Sequence, residues 1–189
     1  MQMLSSIFFA SSNENKFREA KGILSKFGIR LQFLKSNLEE IQSDNLEEIA
    51  QHKASQAFSL CSKPVIIEDD GLFIRSLKGF PGPYSSFVFD TIGNKGILKL
   101  VSKDRTAMFM SVIAYCEKQD DVMLFDASVS GKISRRTHGT KWGYDPIFIP
   151  DGEMKTYSQL KEKNIISHRY LALKKFANWY LHKQQSSGQ

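Results

Sequence analysis

Cysteine is scarce in this sequence, and it contains no segment long and apolar enough to span a membrane. Its 189 residues include two cysteines, Cys61 and Cys116, which form no Cys-x-x-Cys pair. This pattern encodes neither a disulfide framework nor a thiolate metal site. No apolar run approaches the roughly 20 residues that cross a bilayer, and the first residues lack the basic segment of a secretory signal. We therefore expect a cytoplasmic protein that does not bind membranes.

An extreme composition is absent as well. Hydrophobic residues make up 41% of the chain and charged residues 24%, close to the averages of soluble globular proteins, which argues against extended disorder and coiled coil. The sequence shows no repeat of solenoid or propeller period, and low complexity is confined to the terminal Gln-Gln-Ser-Ser-Gly-Gln. We expect one domain over residues 1–183 and a disordered tail over residues 184–189.

Charge is distributed unevenly along the chain. Lys and Arg number 26 and Asp and Glu 20, which gives a net charge of +6. The charges of residues 36–50 are all acidic, whereas those of residues 155–183 are mostly basic. A basic excess permits a polyanionic partner but does not distinguish nucleic acid from a small phosphate ester. An enzyme that handles a metal–phosphate complex needs both signs of charge, whereas a protein that only coats nucleic acid does not.

The spacing of apolar residues predicts an α/β fold. Strand and helix patterns alternate in the first third of the chain: strands at Ile7–Ala10, Leu31–Leu34 and Val65–Ile67, and helices from Ser11-Ser12-Asn13 to Gly28 and from Leu46 to Cys61. Two β-rich runs, 106–116 and 122–129, then predict a hairpin, and a last helix begins near Ser167. We expect an elongated mixed central sheet flanked by helices, with two lobes and a cleft between them.

The turn between the first strand and the first helix is a candidate phosphate site. A helix N-terminus offers unpaired N–H groups and a positive dipole. Ser11 and Asn13 can add hydrogen bonds, and Lys16 lies one turn into the helix. The alternative is an ordinary helix cap beside a surface lysine.

The acidic run Glu68-Asp69-Asp70-Gly71 follows the third strand. Carboxylates at the carboxyl end of a sheet strand lie where α/β proteins bind ligands. Clustered carboxylates suit a hard cation, and Mg²⁺ typically takes one or two of them. The alternative is a solvated acidic loop in which Gly71 makes the turn.

Lys53 lies on the apolar side of the second helix. It falls about 20° from Leu46 on a helical projection, inside an apolar sector formed by Leu46, Ile49, Ala50, Ala57, Leu60 and Cys61. An inward ammonium group needs a partner, either a phosphate or a carboxylate. The alternative is a lysine that extends along the helix to reach water.

Three further segments are candidates for the walls of a cleft. The Gly- and Pro-rich segment 79–86 predicts a stiff loop. The segment 142–146 places Trp142 and Tyr144 around a glycine, which suits base stacking, although aromatic residues more often fill a core. His168 and Arg169 would lie in the first turn of the last helix, where a nearby anion would offset their unfavourable interaction with the dipole. A solvated helix start is the alternative there.

Five segments, in this order and spacing, match one family. They are Ser11-x-Asn13-x-x-Lys16, Glu68-Asp69-x-Gly71-Leu72, Gly79-Phe80-Pro81-Gly82-Pro83-Tyr84-Ser85, Trp142-Gly143-Tyr144-Asp145-Pro146 and Glu162-Lys163-Asn164-x-x-Ser167-His168-Arg169. Together they resemble the inosine/xanthosine triphosphate pyrophosphatases, or Ham1-like proteins. The resemblance implies a two-lobed α/β homodimer that hydrolyses ITP, dITP or XTP to the monophosphate and pyrophosphate with Mg²⁺, without nucleic acid or membrane partners.

The resemblance also implies roles for individual residues. Asp69 is expected to be the general base or a metal-bound acid, and Glu40 the second metal ligand. Substrate binding is expected at Ser11, Ser12, Asn13, Glu14, Asn15, Lys16, Lys53, Asp70 and Ser86, and at Trp142, Gly143, Tyr144, Asp145, Lys163, His168 and Arg169 around the nucleoside. His168 and Arg169 would donate to the 6-oxygen of hypoxanthine or xanthine, where adenine carries an amino group.

Two residues depart from the family pattern. Asp70 stands where the family usually has a small hydroxyl residue, and it could join a metal shell or repel the triphosphate. Trp142 stands where the family usually has Phe. Two other functions are also considered: a Maf-like pyrophosphatase for modified nucleotides, and a nucleic-acid-binding module that uses the basic C-terminal segment.

Overall fold

The computed structural model describes residues 6–161 and 163–186; Glu162 of the last motif lies outside this part of the chain. Its sheet has seven strands in the order β2-β1-β3-β5-β6-β7, and β4 pairs with β3 beside that path. The strands are β1 (Ile7–Ser11), β2 (Leu31–Lys35), β3 (Val65–Ile74), β4 (Pro81–Gly82), β5 (Thr106–Lys118), β6 (Asp121–Ile133) and β7 (Phe148–Pro150). Strand β1 is parallel to β2 and β3, whereas β3, β5, β6 and β7 pair antiparallel. The predicted mixed sheet and the β5–β6 hairpin are confirmed.

Helices cover both faces of this open sheet. They are α1 (Glu14–Leu24), α2 (Leu46–Cys61), α3 (Ser85–Thr91), α4 (Gly93–Leu100), α5 (Lys163–Ile166) and α6 (His168–Ser186). Helices α1 and α6 pack on the face that carries Ile66, and α2 packs on the face that carries Val65 and Ile67. The bounds predicted for α2 are confirmed. Helices α3, α4 and α5 and strands β4 and β7 were not predicted.

A third apolar cluster builds the second lobe. It joins the end of β3 to α3, α4 and the segment before β7, through residues such as Leu72, Val88, Ile97 and Ile147. The first lobe consists of the two clusters on either face of β1 and β3. A cleft lined by residues of both lobes separates them, as expected.

Strand β3 runs further than the sequence pattern predicted. It does not end before Glu68 but continues to Ile74 in unbroken antiparallel pairing with β5, because Leu72 and Ile74 re-enter an apolar core. Gly71 is therefore a strand residue and makes no turn. A Cβ atom at Gly71 would lie 2.6 Å from the carbonyl oxygen of Gly82, so glycine permits the close approach of β4.

Two other expectations were wrong in detail. Leu60 lies 69% exposed, because the buried stripe of α2 ends at Ala57, one turn before the helix ends. Residues 184–186, predicted as disordered tail, belong to α6, which continues to Ser186. Residues 187–189 of that predicted tail lie outside the described residues. No helix of the described part is long and apolar enough to cross a bilayer.

Candidate functional site

The cleft opens where β1 stops and β3 continues. Strand β1 ends at Ser11 and pairs with β3 only at Val65 and Ile66, so the edge of β3 beyond Ile66 is not covered by β1. A cavity of about 530 Å³ lies along this edge. Its walls come from the β1–α1 turn, the segment before α2, β3, α3, the segment 142–145 and the start of α6.

Alternation along β3 sends its three acids to two faces. Successive side chains of a strand point to opposite faces of the sheet. Glu68 and Asp70 contact residues from α1 and α6, whereas Asp69 contacts Lys53 from α2. Two ionic clusters result: the Asp69 cluster, formed by Glu40, Lys53 and Asp69, and the Asp70 cluster, formed by Lys16, Glu19, Glu68, Asp70 and Arg169.

The Asp69 cluster gathers two carboxylates around one ammonium group. Lys53 Nζ donates to Asp69 Oδ2 at 2.7 Å and also to Glu40 Oε2. The Lys53 side chain is 15% exposed, so it points into the cleft, and the alternative in which it reaches along the helix to water is wrong. Burial raises the pKa of Asp69, and the nearby Lys16 and Lys53 oppose that shift.

The β1–α1 turn has the capping geometry expected from its sequence. Asn13 Oδ1 accepts hydrogen bonds from the amides of Asn15 and Lys16, and Ser11 Oγ accepts one from the amide of Asn13. Ser11, Ser12, Asn13, Asn15 and Lys16 line the cavity. Glu14 does not, and its exposed carboxylate lies 3.8 Å from Lys35 Nζ.

Lys16 is a buried partner of the acids, which overturns the alternative of a surface lysine. Its Nζ lies 2.7 Å from Asp70 Oδ1, and its side chain is 14% exposed. Burial alone would lower the pKa of Lys16, but Asp70, Glu68 and Asp69 outweigh it and raise that pKa. Lys16 therefore stays charged at neutral pH.

Arg169 is the centre of the Asp70 cluster. Its Nε donates to both carboxylate oxygens of Glu68 at 2.8 Å, its Nη2 donates to Asp70 Oδ2 at 2.7 Å, and its Nη1 donates to Glu19. The side chain is 1% exposed, so the interpretation of a solvated helix start is wrong. Burial would raise the pKa of Asp70, but Lys16, His168 and Arg169 hold it well below its ordinary value.

His168 lies beside this cluster with a fixed ring. The ring stacks on Phe109 at 4.4 Å between centroids and 8° between planes. Its Nε2 lies 3.9 Å from Asp70 Oδ2, and its buried Nδ1 has no hydrogen-bond partner among the described residues. Burial lowers the pKa of His168, and the neighbouring Asp70 opposes that shift.

The segment 142–145 divides its side chains between the cavity and the core. Trp142 lines the cavity, with Arg169 Cζ 5.1 Å and Lys163 Nζ 5.6 Å from its ring centroid. Tyr144 is buried in the second lobe and donates to the carbonyl of Ser85 at 2.9 Å, so it is mainly a core residue. Asp145 Oδ2 lies 2.6 Å from Lys163 Nζ. Burial raises the pKa of Asp145, and Lys163 opposes that shift.

The Gly- and Pro-rich loop forms one wall of the cleft, as expected. Pro83, Ser85 and Ser86 line the cavity. Ser85 Oγ accepts from the amide of Leu72 and donates to the carbonyl of Gly82. These two bonds attach the loop to β3 and fix the wall against the strand that carries the acids.

Sequence reasoning missed several residues of the site, among them Asp90 and Phe109 of the cavity lining and two residues that support it, Glu19 and Asn94. Glu19 accepts hydrogen bonds from Trp142 Nε1 at 3.0 Å, from Lys163 Nζ at 3.2 Å and from Arg169 Nη1. Its spacing of three residues from Lys16 places both on one helix face, a signal that could have found it. Asn94 donates to the carbonyl of Gly143 at 3.0 Å. It lies on α4, which was not predicted, and no sequence signal indicated it.

The cavity is anionic although the protein is basic. Its described lining contains six carboxylates, Glu40, Glu68, Asp69, Asp70, Asp90 and Asp145, and four cations, Lys16, Lys53, Lys163 and Arg169. The described part contains no group of three or more His, Cys, Asp or Glu side chains that could hold a metal ion. An anionic ligand would therefore bind more favourably together with a cation than alone.

The fold and this cleft define an α/β protein that binds a small charged ligand between two lobes. The chain belongs to the Ham1 family, whose sequence profile matches residues 7–179. It is 48% identical over 179 residues to the dITP/XTP pyrophosphatase of Methanopyrus kandleri, covering 92% of this chain and 95% of that protein. It is 45% identical to the dITP/XTP pyrophosphatase of Saccharolobus solfataricus, over 89% and 90% of the two chains.

A solved structure shows the same architecture. The Ham1 protein of Coxiella burnetii superposes with a TM-score of 0.81 at 28% identity, covering 95% of this chain and all of that one. The resemblance expected from the five motifs is thus confirmed at the level of the family.

Proposed function

We propose that this protein hydrolyses the non-canonical purine nucleoside triphosphates ITP, dITP and XTP to the monophosphate and pyrophosphate. One observation carries the proposal: Lys16, Lys53, Asp69 and Trp142, from four separate elements, meet in one cavity. That cavity combines cations for a phosphate chain, a carboxylate for chemistry and an aromatic face for a base. The relatives named above bear the names of enzymes with this activity.

The phosphate chain binds at the β1–α1 turn and at Lys53. Lys16 stands at the N-terminal turn of α1, where the helix dipole favours an anion. Lys53 approaches from α2 on the other side of β3. Two ammonium groups on opposite sides of one strand edge can hold separate phosphates of a chain.

Glu40 and Asp69 would hold Mg²⁺. Their carboxylates already converge on a single cation, Lys53 Nζ, and two carboxylates are a set that Mg²⁺ takes while phosphate and water complete its shell. When bound, Mg²⁺ would neutralise charge on the phosphate oxygens. The anionic lining of the cavity supports this proposal.

Asp69 acts as the general base. Its carboxylate lines the cavity and accepts the proton of the water that attacks the α-phosphorus, while pyrophosphate leaves. Burial raises its pKa, which makes the carboxylate a better proton acceptor. Lys53 donates to Asp69 Oδ2 and so fixes the orientation of this carboxylate.

The purine base of the substrate lies near Trp142, His168 and Arg169. Arginine carries five N–H donors, and the hydrogen bonds of Arg169 to carboxylates leave a second hydrogen on each terminal nitrogen. These donors and His168 favour a purine with a 6-oxygen. Adenine presents an amino group there, which would leave buried donors unpaired.

A substrate panel tests the proposal. Purified protein with Mg²⁺ should release pyrophosphate from ITP, dITP and XTP much faster than from ATP. In the Asp69→Asn variant, turnover of ITP should fall by a factor of about 10²–10⁴, the usual contribution of a general base, while circular dichroism shows an intact fold. Orthophosphate as the first product would contradict the reaction type, and normal turnover in Asp69→Asn would remove Asp69 from the mechanism.

We further propose a cytoplasmic homodimer that binds no nucleic acid. The large apolar side chains of Phe80, Tyr84 and Phe87, just before and at the start of α3, are exposed, and a second copy of the chain would cover them. Both cysteines are free thiols, as a reducing compartment preserves them. Lys163 and Arg169 of the basic segment are buried, so they are unsuited to contact a nucleic-acid backbone. Light scattering of the wild type and of Phe87→Glu tests the dimer, which the substitution should dissociate.

A further inference from the structure

Asp70 forms an ion pair with Lys16, a cation that the proposed function assigns to the phosphate chain of the substrate. We propose that Asp70 competes with the phosphate chain for Lys16 and thereby weakens the binding of triphosphate and of the pyrophosphate product. This inference rests on the proposed function in one respect, the assignment of Lys16 to the phosphate chain.

The contact is close and shielded from solvent. Asp70 Oδ1 lies 2.7 Å from Lys16 Nζ, and the two side chains are 18% and 14% exposed. Ion pairs with little solvent contact are screened weakly by salt. A phosphate oxygen that reaches Lys16 Nζ must displace this carboxylate or lie beside it as a like charge.

Asp70 is placed differently from the carboxylates proposed to hold metal. Its two oxygens face Lys16 and Arg169, on the side of the sheet that α1 and α6 cover. Glu40 and Asp69 share Lys53 on the side of α2. Of the two roles left open for Asp70, the geometry therefore points to interference with phosphate binding, through competition for Lys16, and not to the metal shell.

Asp70 matters more to Lys16 than to Arg169. Without Asp70, Arg169 would keep its hydrogen bonds to Glu68 and to Glu19. Among the described residues, Asp70 is the partner with which Lys16 forms an ion pair. Neutralising Asp70 therefore frees Lys16 and leaves the buried guanidinium compensated.

This arrangement has a consequence for product release. Inorganic pyrophosphate makes contacts only on the phosphate side of the cleft, so it bears the whole cost of displacing Asp70. A nucleoside triphosphate gains additional contacts through its base. Asp70 thus raises the Kd of pyrophosphate and of the triphosphate by a similar factor, while the triphosphate retains the contacts of its base.

Titration calorimetry with inorganic pyrophosphate, in EDTA and without substrate, tests the competition. We expect Asp70→Asn and Asp70→Ser to lower the Kd of pyrophosphate about tenfold, equivalent to about 1.4 kcal/mol. The matched control is Asp90→Asn, which removes a carboxylate from the same cavity at an exposed position on α3. This control should change the Kd by less than about twofold, because screening weakens an exposed charge. Thermal unfolding verifies that each variant is folded.

The same measurement in protein that lacks the Lys16 ammonium group separates competition for Lys16 from simple repulsion between Asp70 and the phosphates. In Lys16→Met protein, Asp70→Asn should change the Kd of pyrophosphate by less than about twofold, since no ammonium group remains to be freed. An equal gain with and without Lys16 overturns the proposal, as does an unchanged Kd in Asp70→Asn or an equal gain in Asp90→Asn.

The result of this binding test is separable from the result of the substrate panel that tests the proposed function. The binding measurement requires no turnover. If the wild type releases no pyrophosphate from ITP, dITP or XTP but the binding results hold, the proposed function fails and the competition at Lys16 stands. If turnover is as proposed but Asp70→Asn binds pyrophosphate no more tightly, only the role of Asp70 fails.

Discussion

Glu19 joins the phosphate side of the cleft to its nucleoside side. It lies one turn after Lys16 on α1, and its carboxylate accepts hydrogen bonds from Trp142, Lys163 and Arg169. Burial would raise the pKa of Glu19, but Arg169 and Lys163 hold it below its ordinary value. An ionised carboxylate therefore fixes three side chains that come from distant parts of the chain.

We predict that Glu19→Gln raises the KM for ITP about tenfold and changes kcat less. The amide can still accept from Trp142, but it loses the charge that holds two cations, and charge-assisted hydrogen bonds are about twice as strong as neutral ones. A larger KM with a similar kcat indicates lost binding shared by the ground and transition states. Steady-state kinetics of pyrophosphate release provides the measurement.

The control for this prediction lies on the same helix. Glu14→Gln removes the same charge from an exposed side chain 3.8 Å from Lys35, and it should leave both constants within about twofold, because exposed ion pairs contribute little. Similar effects of the two substitutions would show that Glu19 has no special role in positioning the cleft.

Among the elements, β3 contributes most to the site. Its first half pairs with β1, and its second half pairs with β4 and enters the second lobe. The acids lie between these halves, at the edge that β1 does not cover. Continuity of this strand through the acidic run is what presents Asp69 and Asp70 to opposite sides of one cleft.

We predict that Gly71→Ala destabilises the protein by about 1–3 kcal/mol, the usual range for an overpacked position. The new Cβ would lie 2.6 Å from the carbonyl oxygen of Gly82, so β4 would have to move. Gly22→Ala on α1 is the control, because its Cβ meets no atom within 4 Å and alanine stabilises helix interiors by about 0.5–1 kcal/mol. Urea unfolding measures both changes, and equal stability of Gly71→Ala and wild type would contradict the close contact.

Much of this element structure follows from local patterns, and the rest depends on partners distant in sequence. Helix α2 was predicted to the residue because its apolar spacing is regular, and in the structure Asn45 caps its N-terminus. Lys53 was predicted to have a partner because its helical phase alone turns it inward. The continuation of β3 was not predicted, since three charged residues in a strand are favourable only once Lys16, Lys53 and Arg169 neutralise them.

The whole molecule separates its net charge from the charge of its cleft. The chain carries a formal charge of +6, while the described lining of the cavity has more carboxylates than cations. The basic exterior can attract polyanions over a distance. The acidic interior then favours those that arrive with a cation, which accords with the Mg²⁺ dependence that we propose.

Burial of His168 links the stability of the whole molecule to pH. Burial lowers its pKa below 6.5, so on acidification the unfolded chain takes up this proton first. The resulting stability is complete above pH 6.5 and is lost as pH falls toward the lower folded-state pKa, with a slope of at most about 1.4 kcal/mol per pH unit for one proton.

We predict that the His168→Gln variant lacks this part of the decline in stability. The measurement is the free energy of unfolding of the wild type and of the variant from pH 7.5 to 5, compared as the difference between the two proteins. The pKa values of Asp69 and of Asp145 are raised, so these two groups make the protein more stable as the pH falls. Both proteins contain them, and their contribution therefore cancels in the difference. Parallel curves for the two proteins would show that His168 does not titrate differently on folding.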